Sequence, residues 1–148
     1  MTQSIIGKAN FISLGDFYNG NVIDGKREGF GIYKYPNGDV YEGDWKNDYK
    51  YGKGIFISEK DNIRYDGSFI KNRYHGYGIL NLKNNSKYEG EWRHGKMHGS
   101  GTYIYSNGDL YQGNFKNNKL DGNGKLSYNN GDIYIGEFKN GKMDGNGS

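Results

Sequence analysis

The sequence predicts an all-β protein, an elongated single-layer twisted antiparallel sheet of about twelve strands built from about six 23-residue β-hairpin repeats. A tyrosine-centred pattern recurs six times, with four spacings of 23 residues and one of 24. Glycine recurs at fixed positions, with 26 copies in 148 residues. Aromatics make up 16% of the chain although only 33% of it is hydrophobic, so we expect rings to replace a thick aliphatic core. The first tyrosines of the repeats are Tyr18, Tyr41, Tyr65, Tyr88, Tyr111 and Tyr134.

Each repeat can be numbered from its tyrosine as position 0. Glycine then stands at +2, +11 and +13 in every copy, and an aromatic stands at +4 in every copy except the first, which has Val22. Position +7 is always Gly, Asp or Asn, the residues that best tolerate a positive φ. In the fourth copy the pattern consists of Tyr88, Gly90, Trp92, Gly99 and Gly101.

Two strands are predicted in each repeat. Tyr88, Gly90 and Trp92 alternate with two glutamates, and the segment from Gly99 to Tyr105 also alternates, which is typical of strands with two unlike faces. A loop of about six residues is expected between them. The second strand is followed by Pro36-Asn37-Gly38, Ser106-Asn107-Gly108 or Asn130-Gly131, which favours a three-residue hairpin loop closed by a left-handed glycine.

A register follows from placing like residues on one face. We expect +4 opposite +11, +2 opposite +13 and 0 opposite +15 within a repeat, and +15 opposite the next tyrosine. Rings from neighbouring strands then cover a ladder of bare glycine backbone, which explains glycine in strands where it is otherwise unfavourable.

The domain organisation is a repeat array over 15–148, preceded by an N-terminal cap or half repeat over 1–14. That first segment is expected to add one strand beside the first hairpin. The one-residue insertion within 59–64 predicts a wider loop or a bulge. The sequence stops inside the last repeat's second strand, which suggests either a longer array or an open edge that pairs with another chain.

The unit resembles the MORN repeat (membrane occupation and recognition nexus), on the residues Tyr88-x-Gly90-x-Trp92, Gly99-x-Gly101 and Asn107-Gly108-Asp109. The resemblance covers about residues 15 to 148, with local departures at Val22, Asn62 and Asn85. It implies a scaffold that works at membranes or the cytoskeleton, and homodimerisation through terminal repeats. It also leaves open a targeting or regulatory array of a larger enzyme, such as a lipid kinase or methyltransferase.

Charge placement predicts a basic rim. Positions +5 to +9 hold 12 of the 20 basic residues but only two of the 17 acidic ones, and the acids collect on the face opposite the rings. A comb of cations suits acidic phospholipid, such as phosphoinositide, or an acidic partner, although loop lysines can also serve solubility alone. The predicted rim residues are Lys46, Lys50, Lys71, Arg73, Arg93, Lys96, Lys116, Lys119, Lys139 and Lys142.

The aromatic face carries a second prediction, a groove for a partner helix or extended peptide. Exposed aromatic area marks interaction surfaces, while the simpler interpretation makes the same rings a substitute for a core. The groove residues predicted to be exposed are Tyr41, Trp45, Tyr65, Phe69, Tyr88, Trp92, Tyr111 and Phe115.

Other function classes find no support. The pair His94 and His98 has no third metal ligand with a defined place, and no catalytic constellation is present, so we expect a non-enzymatic protein without a cofactor. Nucleic-acid binding is not expected because the basic residues are predicted in loops, away from the rings. The absence of cysteine, of an apolar span and of a signal-like start predicts a cytoplasmic protein, at a membrane or cytoskeletal periphery. The sequence therefore predicts a scaffold that binds a protein segment, with phospholipid binding and enzyme targeting as alternatives.

Overall fold

The computed structural model describes residues 6–13 and 15–147, which divide between residues 73 and 74 into two compact units. Within each unit every strand pairs antiparallel with its neighbours in the chain. The first unit contains β1 (Ile6–Ser13), β2 (Asp16–Ile23), β3 (Lys26–Lys34), β4 (Val40–Lys46), β5 (Tyr49–Ser58) and β6 (Ile63–Ile70). The remaining strands are β7 (Arg73–Asn81), β8 (Lys87–Arg93), β9 (Lys96–Ile104), β10 (Leu110–Lys116), β11 (Lys119–Ser127), β12 (Ile133–Lys139) and β13 (Lys142–Gly147). The all-β class and the antiparallel hairpin repeats are confirmed.

The described residues hold one strand more than the expected twelve, because residues 6–13 of the N-terminal segment form β1 and pair with β2 along their whole length. Residues 1–5 and 14 of that segment lie outside the described residues. Its role as a cap stays a prediction.

The hairpin loops are shorter than predicted. Instead of six residues, each connection within a repeat is a two-residue turn at +6 and +7, and both residues have positive φ in all six copies. Asn47 and Asp48, for example, have φ values of 50° and 70° and join the directly opposed pair Lys46 and Tyr49. This conformation is that of a type I′ turn, whose twist matches that of the flanking strands. The positive φ expected at +7 is therefore correct, and the one at +6 was missed.

A register shift in five of the repeat hairpins, those within the two units, corrects one predicted pairing. The pairs 0/+15 and +2/+13 are confirmed by Tyr41 opposite Phe56 and Gly43 opposite Gly54, but Trp45 at +4 lies opposite Lys50 at +9 rather than Gly52 at +11. The second strand carries two extra residues there, and Gly52 adopts a φ of 74° to accommodate them. The +11 glycine pairs instead with the +4 ring of the following repeat, as in Gly29 opposite Trp45.

Acidic side chains at +3 accept hydrogen bonds from backbone amides at this register shift. The Asp44 carboxylate accepts a hydrogen bond from the Lys53 amide at 3.3 Å, and the Glu91 carboxylate accepts one from the Ser100 amide at 2.5 Å. These acids lie on the face opposite the rings, as predicted from alternation. Part of the acidic pattern on that face therefore has a structural cause, since it satisfies amides that the strand ladder leaves unpaired.

The connections between repeats agree with the sequence. Around Pro36-Asn37-Gly38 the Tyr35 amide donates to the Asp39 carbonyl at 2.8 Å, and Gly38 has a φ of 95°. The insertion forms a wider loop of four residues between Ser58 and Ile63. In the next loop, which contains a single 3-10 turn over Lys83–Asn85, Asn85 takes a positive φ of 63° in place of glycine.

A line of rings forms the core on one face of each unit, which we name the ring face. Tyr41, Tyr88 and Tyr111 each pack edge-on against the +4 ring of their own repeat and of the next. Tyr88 does so with Trp92 and Phe115, both at 5.0 Å. Its ring lies over the +13 glycine, since a Cβ on Gly101 would stand 2.6 Å from a Tyr88 ring carbon. The predicted covering of glycine backbone by rings is confirmed. The fully buried tyrosines are Tyr18, Tyr41, Tyr65, Tyr88 and Tyr111.

Candidate functional site

The eight rings predicted to be an exposed groove are buried instead. They are between 0% and 5% exposed, so the prediction of their exposure is wrong, and they form the core. No second sheet covers these rings. They are buried because neighbouring rings cover one another through edge-to-face contacts. The eight residues that are buried rather than exposed are Tyr41, Trp45, Tyr65, Phe69, Tyr88, Trp92, Tyr111 and Phe115.

Hydrogen bonds hold these rings in place. Each tyrosine hydroxyl at 0 donates to the carbonyl three residues on, at 2.6 to 3.1 Å across the six repeats. Both indoles donate to a glycine carbonyl of the preceding hairpin, Trp45 to Gly31 at 3.2 Å and Trp92 to Gly78 at 3.1 Å. Burial raises the pKa of Tyr111 to about 12. The Tyr111 phenol is therefore a neutral hydrogen-bond donor at ordinary pH.

A second row of side chains on the ring face stays half exposed. The row lies at +15 and +17, beside the buried row. Neighbouring rings in it contact each other: the ring centres of Tyr33 and Tyr35 are 4.6 Å apart, and those of Tyr103 and Tyr105 are 4.7 Å apart. The sequence interpretation noted +15 but not +17, although the period-two alternation of the second strand already placed both on one face. The row consists of Tyr33, Tyr35 and Phe56 in the first unit, and Leu80, Leu82, Tyr103, Tyr105, Leu126 and Tyr128 in the second.

Position +9 also reaches the ring face, because the register shift places it opposite position +4, which is Val22 in the first repeat and a ring in the second. In the first repeat position +9 is Arg27, whose guanidinium carbon lies 4.3 Å from the Trp45 ring centre and 4.8 Å from that of Tyr33. The Arg27 Nε lies 3.1 Å from the Asp48 carboxylate. Burial raises the pKa of the Asp48 carboxyl, but hydrogen bonds from the Arg27 amide and guanidinium outweigh this and hold the pKa below its ordinary value. Arg27 is thus an ion-paired cation packed on rings.

The second repeat places Lys50 at +9. Its ammonium nitrogen lies 5.0 Å from the Tyr35 ring centre, 5.4 Å from that of Tyr41 and 5.3 Å from that of Phe56. Burial, with a smaller contribution from Arg27, lowers the pKa of Lys50 to about 8. Lys50 was predicted on the basic rim. That placement is wrong, because Lys50 is half-buried on the ring face.

The other nine predicted rim residues are all exposed, at the hairpin turns or beside them. In the second unit three successive hairpins each carry two directly opposed cations: Arg93 and Lys96, Lys116 and Lys119, and Lys139 and Lys142. Within the described part of the chain none of these six forms an ion pair. Lys46 lies opposite Tyr49. Lys71 lies in the turn before β7, and Arg73 is the first residue of β7.

The histidines do not gather into a metal site. His75 accepts a hydrogen bond on Nδ1 from the His94 amide at 3.1 Å, and the two rings lie 4.9 Å apart. Burial, then the neighbouring His94 and Arg93, lowers the pKa of His75. Among residues 6–13 and 15–147 no cluster of three or more His, Cys, Asp or Glu has a metal-binding arrangement. In the same described ranges no helix is long and apolar enough to cross a membrane.

The structure thus defines a tandem β-hairpin repeat protein with an aromatic core on one face and cations at its turns. The chain belongs to the MORN repeat family, whose model matches residues 18–40, 41–62, 65–87, 88–110, 111–133 and 134–148. MORN repeats are a general module for interaction with proteins and membranes. The chain is also similar to Protein TIC 100 of Arabidopsis thaliana, with 38% identity over 47 residues. That alignment covers 32% of this chain and only 5% of TIC 100.

Proposed function

We propose that this array is a non-enzymatic scaffold that binds a segment of another protein, as a helix or an extended peptide, on its ring face. The half-exposed row at +15 and +17 supports the proposal. Its side chains stand beside the buried row, so binding a segment there would bury further aromatic area without reorganising the core. Rigid aromatic anchors of this kind are enriched where protein interfaces gain most of their affinity.

The test compares the two faces of the sheet. Peptides selected from a displayed random library against the whole chain should bind through the half-exposed row, so Tyr105→Ser should weaken binding about tenfold or more. The matched control is Tyr77→Ser, which removes a ring that is 50% exposed on the opposite face. Fluorescence anisotropy measures both variants. If Tyr77→Ser weakens binding and Tyr105→Ser does not, the assignment of the ring face is wrong.

A second function, binding of acidic phospholipid through the cations at the turns, has its own supporting observation. Like charges directly opposite each other in an antiparallel pair destabilise a sheet, yet three consecutive hairpins of the second unit retain such pairs. A set of cations kept at a cost in stability suits an anionic surface, near which each Lys or Arg contributes about 1 kcal/mol.

Lys119→Glu separates this function from a solubilising role. The change turns the Lys116 and Lys119 repulsion into an attraction, so the free energy of unfolding should rise by about 0.5 kcal/mol. Sedimentation with phosphatidylserine vesicles should fall about tenfold. The matched control is Lys125→Glu, the same charge change in the middle of β11. Equal loss with both variants would mean that net charge alone, rather than the turn cations, controls vesicle binding.

A further inference from the structure

The ring faces of the two units differ in charge at +9. In residues 6–73 this position is occupied by Arg27 and Lys50, whereas the later repeats place Tyr74, Met97, Leu120 and Met143 there. Each of these residues follows the same type I′ turn, so the backbone does not account for the difference. A half-buried lysine replaces an uncharged side chain in an equivalent place.

Lys50 has ring partners but no ion-pair partner among the described residues. The ammonium faces Tyr35, Tyr41 and Phe56, and among the described residues no carboxylate lies within ion-pair distance of it. Asp39 is the acid that acts on it electrostatically. The Asp39 carboxylate is held in its own turn through Oδ2, which accepts a hydrogen bond from the Asn37 side-chain amide at 3.1 Å, while its Oδ1 is buried without a hydrogen-bond partner and lies beyond ion-pair distance of Lys50.

Arg27 makes the difference clear. Both cations pack on rings of the same face, but Arg27 has the Asp48 carboxylate 3.1 Å away. The equivalent +7 residue for Lys50 is Asn72, which accepts a hydrogen bond from the Lys50 amide at 2.8 Å but carries no charge. An ammonium that is partly removed from water without an opposite charge is unfavourable, and a second cation nearby adds to the cost.

We infer that the ring face of residues 15–73 recognises an acidic protein segment, whose carboxylate pairs with the Lys50 ammonium while a neighbouring apolar side chain packs on Tyr35 and Phe56. This inference rests on the proposed function and names the chemistry of its partner. The ammonium has three hydrogen-bond donors. Aromatic rings accept hydrogen bonds far more weakly than a carboxylate does, so the rings leave these donors without a strong acceptor. A partner carboxylate supplies both the charge and the acceptors that Asp48 supplies to Arg27.

The repeats themselves provide matched variants. Lys50→Met reproduces the side chain of Met97 at the same position, and Lys50→Arg reproduces that of Arg27. The backbone of Lys50 is held from both sides by Asn72, whose amide donates to the Lys50 carbonyl at 3.1 Å, so neither change removes an anchor of the fold. Lys53→Met removes the same charge from the opposite face of β5.

The experiment uses peptides selected on the whole chain from a displayed random library, each remade with glutamate changed to glutamine. Wild type should bind the glutamate form about tenfold or more tightly than the glutamine form. Lys50→Met should abolish that preference, and Lys50→Arg and Lys53→Met should retain it. A preference that survives Lys50→Met, or equal binding of the two peptide forms by wild type, overturns the inference.

Its failure can be told apart from failure of the proposed function. If glutamine peptides bind as well as glutamate peptides and Tyr35→Ser still weakens them, the ring-face scaffold stands and the acidic partner does not. If no selected peptide depends on Tyr35 or Tyr105, both fall. If Lys50→Met instead reduces sedimentation with phosphatidylserine vesicles and leaves peptide binding unchanged, Lys50 serves a lipid surface and the inference is wrong.

Discussion

Replacing Tyr88 by alanine is expected to lower the free energy of unfolding by about 4 kcal/mol, as for other fully buried aromatic side chains. Tyr88 is 0% exposed and packs edge-on against Trp92 and Phe115. It also covers Gly101 and donates to the Glu91 carbonyl at 2.6 Å. Its loss therefore opens a cavity, exposes glycine backbone and removes contacts with the next repeat. Denaturant unfolding followed by circular dichroism measures the change.

Tyr88→Phe is the matched control for that experiment. It keeps the ring and removes only the hydroxyl, so a loss of about 1 kcal/mol is expected from the broken hydrogen bond. If the ring serves as core, the free energy of unfolding of Tyr88→Ala should be well below that of Tyr88→Phe, which should be a little below that of wild type. Equal losses for the two variants would mean that the hydroxyl, rather than ring packing, supports the fold.

Gly113→Ala should be almost as damaging, with a loss of about 3 kcal/mol from overpacking. A Cβ on Gly113 would stand 2.5 Å from the Asn123 carbonyl oxygen and 2.5 Å from the Gly124 Cα. Both are backbone atoms of the paired strand, which cannot move away without breaking the ladder. The same denaturant experiment measures the loss.

Gly7→Ala tests whether the effect belongs to the ladder or to glycine in strands generally. A Cβ on Gly7 meets nothing within 4 Å, so the free energy of unfolding should change by less than about 0.5 kcal/mol. A large loss at Gly7, or none at Gly113, would contradict the account in which rings and bare backbone pack as one unit.

Trp92→Ala is expected to lower stability rather than to report on partner binding. A groove of exposed rings makes Trp92→Ala a test of partner binding. Because Trp92 is 5% exposed and its indole nitrogen donates to the Gly78 carbonyl, the substitution would report on stability instead. The half-exposed Tyr105 is the residue whose loss can affect a partner while leaving the buried row in place.

The turns mark where sequence patterns stop being informative. Glycine at +11 was correctly assigned to a strand, but its positive φ and the two extra residues beside it were not foreseen. The +11 glycine can pair either with the +4 ring of its own repeat or with the +4 ring of the next repeat. The spacing of like residues in the sequence is compatible with both pairings. Lys50 was misplaced for this reason, since a shift of two positions moves +9 from a loop to a place opposite a ring.

The sequence by itself determined the repeat, the strand pairing of 0 with +15 and +2 with +13, the ring-covered glycine ladder and the loops between repeats. These depend on local alternation and on steric needs of single residues, which a periodic chain repeats six times over. Only the tertiary structure decided the two-residue turns, the burial of the +4 rings and the position of Arg27 and Lys50. The ring burial and the position of +9 arise from contacts between neighbouring hairpins, where Asp48, Asn72 and Asn118 accept hydrogen bonds from amides of the preceding repeat and rings of successive repeats cover one another.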